Sequence, residues 1–187
     1  MNEIERVIEY WDAQPCNIHH SRSEFGTQQY FDEVEARKYF VEPHIKKFAN
    51  FPQWWSKNVL EVGCGIGTDA INFARCGANY TGIDISTRSI EITKQRFDNE
   101  RRFFNGFQWN IEEKYPGFSN MFDLVYSFGV LHHTPNPRHA IQNIRRVYEP
   151  IIVDHLHFIQ TANQSYIFTN NLVLSEVLIY DSGTFLP

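Results

Sequence analysis

Val59 to Asp84 reads VLEVGCGIGTDAINFARCGANYTGID: an apolar run closing on a carboxylate, three alternating glycines, an amphipathic segment, and a second apolar run closing on Asp84. Glycines so closely spaced weaken any regular element, because glycine loses the most backbone freedom on ordering. Gly63, Gly65 and Gly67, set between Glu61 and Asp84, therefore answer to something other than stability. The periodicity predicts a strand over Val59–Val62, a helix over Thr68–Cys76 stopped by Gly77, and a strand over Asn79–Ile83.

The alternation continues on both sides. Ser86 caps a predicted helix running to about Phe97, Phe104–Trp109 and Phe122–Phe128 read as strands, and Asn136 caps a helix reaching Val147. Upstream, Ile4, Val7, Ile8 and Trp11 give Met1 to Asp12 the spacing of a short amphipathic helix. After an irregular polar stretch, Thr27 caps a second helix carrying Tyr30, Phe31, Val34, Tyr39, Phe40, Ile45 and Phe48, divided near Pro43. Strands alternating with helices in this way predict an α/β fold, a parallel sheet with helices on both faces.

At 187 residues the chain suits one domain, and 42% hydrophobic with 16% aromatic residues excludes a disordered chain. A formal net charge of -5 provides no general attraction to nucleic-acid phosphates; Arg101, Arg102, Arg145 and Arg146 are scattered candidates for a local patch. Cys16, Cys64 and Cys76 leave an odd count without disulfide-framework spacing. No apolar run reaches the ~18 residues of a membrane span, and MNEIERVIEYWD lacks the apolar region of a signal peptide. The expected setting is cytoplasmic and reducing.

In open α/β sheets, ligands bind beyond the carboxyl ends of the strands. The glycine turn lies there, its backbone able to approach a ligand, and the amides of the following helix point into the same space. Asp84, ending the neighbouring strand, can accept from both hydroxyls of a ribose. The stretch thus reads as a nucleoside site. Dinucleotide enzymes use G-x-G-x-x-G, whereas the pattern here is G-x-G-x-G. Glu61 beside the loop opposes a pyrophosphate and favours a cation, so S-adenosylmethionine, with its sulfonium and α-ammonium, suits the chemistry better than NAD. A dehydrogenase remains the third choice.

With those residues in view, VLEVGCGIG, GIDIS and FDLVYSFGVLHHTPNP resemble the class I S-adenosylmethionine-dependent methyltransferases, in particular the small-molecule branch with the methyltransferase type 11 pattern. YWDAQPCN, YFDEVEARKYFVEPHI and GIGTDAINFAR resemble a bacterial subgroup, and the likeness runs from about Tyr10 to Val147. It implies a Rossmann-like, doubly wound, mostly parallel sheet: an N-terminal helical cap or lid over 1–52 and the S-adenosylmethionine-binding unit over 53–187. It also implies that Glu61, Gly63, Cys64, Gly65 and Gly67 line the methionine and ribose, and that Asp84 holds the ribose hydroxyls. Ile85 and Ile111 would flank the adenine, Asn110 would stand where the family often has an acid for the adenine amino group, and Ser127 would end the fourth strand beside the methyl donor.

His132 and His133 follow that strand and are the candidate general base or acceptor-orienting donors; the structural alternative is a loop whose imidazoles bond to backbone. Tyr30 and Tyr39 read as core aromatics or as parts of the lid, and Arg37 as a solvated helix face in preference to a partner for the donor's carboxylate. Pro15-Cys16 lies far ahead of the glycine loop, unlike the nucleophile of cytosine-C5 methyltransferases, and Cys16 with His19 and His20 lacks a zinc spacing, so no metal is expected. Ser127-Phe128-Gly129-Val130 stands where amino-directed DNA methyltransferases carry [DN]-P-P-[YF], which argues against a DNA substrate.

Beyond Val147 the alternation fades. Ile151–Val153, Tyr166–Thr169 and Val177–Tyr180 have strand character, but the stretch is short for the family's usual remaining elements, which predicts an abbreviated C-terminal part of the sheet or a truncated or frame-shifted tail. An edge left unpaired by such a tail invites a homodimer. The expected function is methyl transfer to a small-molecule acceptor; the alternative is a non-catalytic nucleoside-binding or scaffold protein with an incomplete acceptor site.

Overall fold

β1 (Asn58–Val62) lies inside a four-stranded parallel sheet ordered β3-β2-β1-β4, with β2 at Asn79–Asp84, β3 at Gly106–Gln108 and β4 at Leu124–Tyr126. The computed structural model describes residues 2–113, 121–147, 156–160, 164–168 and 178–181. After β3 the chain crosses back to pair β4 on the far side of β1, so the strand order reverses beside the β1 loop and opens a crevice there.

Alternation along β1 sends its side chains to two cores. Leu60 and Val62 pack with Ile83, Val125 and the helix α6 (Pro137–Val147) through Ala140, Ile141 and Ile144. Val59 faces the other layer with Phe73, Tyr80, Phe97 and Tyr126, which the helices α4 (Thr68–Arg75) and α5 (Thr87–Asn99) cover. Helices thus sit on both faces.

The caps stand where the sequence places them: Thr27 Oγ1 accepts from the Tyr30 amide at 3.2 Å, Ser86 Oγ from the Ser89 amide at 3.0 Å, and Asn136 Oδ1 from the His139 amide at 3.0 Å. The N-terminal part divides near Pro43 into α2 (Gln28–Val41) and α3 (His44–Ala49), preceded by α1 (Glu3–Ala13). Within α2, Tyr39 takes the core side, which turns its neighbour Phe40 out to 83% exposure.

Two strands are shorter than their apolar content suggests. Phe104 leaves the strand path to join the rings of Tyr80 and Phe97, and β3 begins only at Gly106. β4 ends at Tyr126 because the chain turns away through Gly129, whose φ is 70°. The tail forms an antiparallel sheet ordered β5-β6-β7, with β5 at Leu156–Gln160, β6 at Gln164–Phe168 and β7 at Leu178–Asp181. β6 and β7 overlap two of the expected strands, and β5 falls where the sequence reading places none; Ile151–Val153 lies outside the described residues.

Candidate active site

The loop leaving β1 turns on Gly63, Gly65 and Gly67, with φ of 78°, 54° and 77°, the left-handed region that a side chain disfavours. The turn brings the Gly65 amide onto Asp84 Oδ2 at 2.8 Å, while Thr93 Oγ1 donates to the Gly65 carbonyl at 2.7 Å. The loop is thereby tied to the tip of β2 and to α5. A Cβ at Gly63 would stand 2.3 Å from Val130, and one at Gly67 2.8 Å from Thr93. At Gly65 it would meet nothing within 4 Å. Gly63 and Gly67 therefore answer to packing as well as conformation, and Gly65 faces open space.

That space is a cleft of about 1050 Å³, its mouth included, over the carboxyl ends of β1 and β2. Glu61, Gly63, Cys64, Gly65, Asp84, Ile85, Asn110 and Ile111 are brought together on its walls. Gly67 stands back as the N-cap of α4, and the Ser127 hydroxyl is spent donating to the Val62 carbonyl at 3.1 Å. His132 and His133 occupy a single 3-10 turn, Leu131–His133, and only His133 lines the cleft. His132 stacks behind it with ring centroids 3.9 Å apart, its Nδ1 buried without a hydrogen-bond partner among the described residues. Burial, reinforced by the neighbouring imidazole, pushes His132 down to about 4, and burial lowers His133 as well, so both rings are neutral at physiological pH.

The sequence reading misses much of the opposite wall. Ile4, Val7 and Trp11 project from α1, and the Trp11 ring meets that of His133 edge-on at 5.0 Å. The i, i+3, i+7 spacing of those three was the available signal, but core packing produces the same stripe. Cys16, remote in sequence, also folds onto the wall; burial raises its thiol above the ordinary value, which keeps it protonated and unsuited to attack. Tyr30 and Tyr39 pack inside, with the Tyr30 hydroxyl on the Ile18 carbonyl at 2.6 Å and the Tyr39 hydroxyl on Asp69 at 2.9 Å. Arg37 is exposed, and its neighbour Lys38 faces the cleft instead. Among the described residues no group of His, Cys, Asp and Glu is arranged to hold a metal ion.

Three buried carboxyl groups line the cleft, and one of them, Asp69, holds the ammonium of Lys38. Asp69 accepts from Lys38 Nζ at 2.8 Å and from the hydroxyls of Tyr39 and Tyr126 at 2.9 Å each. Asp69→Ala would leave Lys38 and two hydroxyls without their acceptor, and a loss of about 3–5 kcal/mol is expected in urea unfolding. Glu61 receives one donor among the described residues, the Tyr80 hydroxyl at 2.6 Å; burial and then the charge of Asp69 push its carboxyl well above the ordinary range. Asp84 accepts from the amides of Gly65 and Ser86, yet burial outweighs them and raises it to about 6.

Residues 60–150 match the family model described as a methyltransferase domain. The ubiquinone biosynthesis O-methyltransferase of Actinobacillus pleuropneumoniae serotype 5b (strain L20) is 30% identical over 115 residues, 59% of this chain and 48% of that protein. The magnesium protoporphyrin IX methyltransferase of Synechocystis PCC 6803, solved with S-adenosylmethionine bound, superposes with a TM-score of 0.60 at 17% identity, covering 80% of this chain and 73% of that one. Residues 60–150 of this chain are a methyltransferase domain, built on the fold of solved S-adenosylmethionine-dependent methyltransferases.

The geranyl diphosphate C-methyltransferase of Streptomyces coelicolor A3(2) shares the fold too, with a TM-score of 0.59 at 13% identity over 80% of this chain and 61% of that one. The chain spans about half the length of the curated relative from Actinobacillus, at 48%. The cleft fits the family's cofactor, S-adenosylmethionine. Glu61 and Asp84 present carboxyl groups to the cleft, Asp84 at the tip of β2, Ile85 and Ile111 offer apolar faces, and the open side of Gly65 leaves room beside them. Among the described residues no helix is long and apolar enough to cross a membrane.

Proposed function

We propose that this chain transfers a methyl group from S-adenosylmethionine to a small-molecule acceptor. The observation that carries the reading is the cleft itself: an open glycine and a raised, buried Asp84 on one wall, with the neutral His133 on another. When bound, the donor supplies a methyl group made electrophilic by a cationic sulfur. Asp84, once ionised, accepts from the ribose hydroxyls, and Glu61 places a carboxylate where positive charge is held. His133, uncharged, can take the proton of an acceptor hydroxyl or amine, while His132 supports its ring from behind. The helices within 1–52 cap the acceptor side, where the α1 stripe supplies an apolar surface. The reading includes a cytoplasmic setting, an acceptor other than DNA, and an exposed sheet edge as the route to a homodimer.

Calorimetry with S-adenosylmethionine followed by turnover against a panel of small hydroxyl and amine acceptors tests it. Binding and turnover are expected. Binding without turnover would favour a non-catalytic nucleoside-binding protein, and preference for NAD would favour a dehydrogenase. Asp84→Ala is expected to weaken donor binding by about 1.5–3 kcal/mol, the worth of hydrogen bonds to a charged acceptor; unchanged affinity would remove Asp84 from the donor site.

A further inference from the structure

α1 covers the cleft without joining the core. None of its residues is buried, whereas α2 buries Tyr30, Phe31, Val34 and Tyr39. What holds α1 in place is concentrated at its carboxyl end. Asp12 Oδ1 accepts from Ser86 Oγ at 2.7 Å and from the Arg88 amide at 3.1 Å, so an acid from one helix sits on the open first turn of another, α5. Ser86 serves both sides of the cleft: its hydroxyl holds Asp12, and its own amide donates to Asp84 Oδ1 at 2.9 Å. One residue before Asp12, Trp11 rests on His133.

We propose that Asp12 is a positioning residue that latches α1 over the cleft, so that release of this latch, rather than any motion of α2, admits the donor and lets its demethylated product leave. The inference rests on the reading of the cleft as the donor site. The hinge lies in the polar stretch between α1 and α2, where Asn17 already adopts a φ of 66°. The latch also couples two tasks, because the docked position that encloses the donor is the one that sets Trp11 against His133.

Two measurements on the full chain test this. In the donor-free protein, hydrogen exchange of the α1 amides is expected to quicken about fivefold in Asp12→Ala, in line with the loss of a helix-capping acceptor, with α2 amides unchanged. Asp12→Asn keeps an acceptor oxygen and is expected to fall between. In stopped-flow measurements, S-adenosylhomocysteine should dissociate faster from Asp12→Ala by about the same factor. Equal α1 exchange in the wild type and Asp12→Ala would overturn the latch whether or not the donor binds. Faster exchange spread equally over α1 and α2 would overturn it too, as general loosening. Failure of the wild type to bind donor or product would instead strike the reading of the cleft, and the exchange result would still decide the latch.

Discussion

Gly65→Val is expected to abolish donor binding while leaving the chain folded. A side chain at this position projects into the cleft, since a Cβ there has no neighbour within 4 Å. Three added carbons would occupy the space beside Asp84 Oδ2, to which the Gly65 amide is bonded at 2.8 Å. The conformational cost is real but bounded: holding a branched residue at a φ of 54° costs about 1–3 kcal/mol, against a typical stability of about 5–15. The hydrogen bonds from Gly65 to Asp84 and from Thr93 to Gly65 keep the backbone from swinging the new side chain out. A loss of at least about 100-fold in affinity is expected by calorimetry, worth about 2.7 kcal/mol, with a cooperative melt retained. Gly63→Ala offers the contrast, for its Cβ would meet Val130 at 2.3 Å and so should damage stability as well as binding. Normal donor affinity in Gly65→Val would mean the loop is not the cradle.

The second large effect is a pair of opposed pH dependences from one residue. Asp84 in the folded chain is raised from 3.8 to about 6 by burial. A group whose folded pKa is raised contributes stability at pH values below its unfolded pKa and loses that contribution as pH rises through the folded one. Lowering the pH from 7 to 4 should therefore stabilise the wild type, relative to Asp84→Asn, by about 2.4 kcal/mol, most of the ~3 kcal/mol that a 2.2-unit shift yields well below pH 3.8. Donor affinity should run the other way. Only the ionised carboxylate accepts from two ribose hydroxyls without spending a proton, so affinity should drop about tenfold per pH unit below 6. Glu61, raised by burial and by Asp69, acts in the same sense on the donor's cationic groups. Urea unfolding and calorimetry across pH 4–8 check the two slopes, and parallel slopes would detach Asp84 from the donor.

Much of this geometry was legible because it is written in local rules. β1, the glycine turn and β2 follow from apolar runs of strand length broken by residues that tolerate positive φ, and Thr27, Ser86 and Asn136 cap helices through their own side chains. Less was legible where the deciding contact is distant in sequence. The pairing of Lys38 with Asp69 and the seat of Asp12 on α5 join residues that no periodicity relates. The two histidines show a third limit. Adjacent residues of a 3-10 turn point about 120° apart, so one of the pair must face away from the cleft, and nothing local says which. Ser127 illustrates the converse: its position at the strand end suggests a ligand, but its hydroxyl is spent on the Val62 carbonyl at the end of β1.

The absence of any buried residue in α1 has a bearing on how such a chain diversifies. Ile4 and Val7 can be exchanged for other side chains without opening a hole in either hydrophobic layer, because they lie on the cleft wall and belong to neither core cluster. Helix α2 has no such freedom, being pinned through Lys38 and Tyr39 to Asp69. Ile4 and Val7 thus form an interchangeable facing on a fixed machine, where single substitutions reshape the cleft wall at little thermodynamic risk.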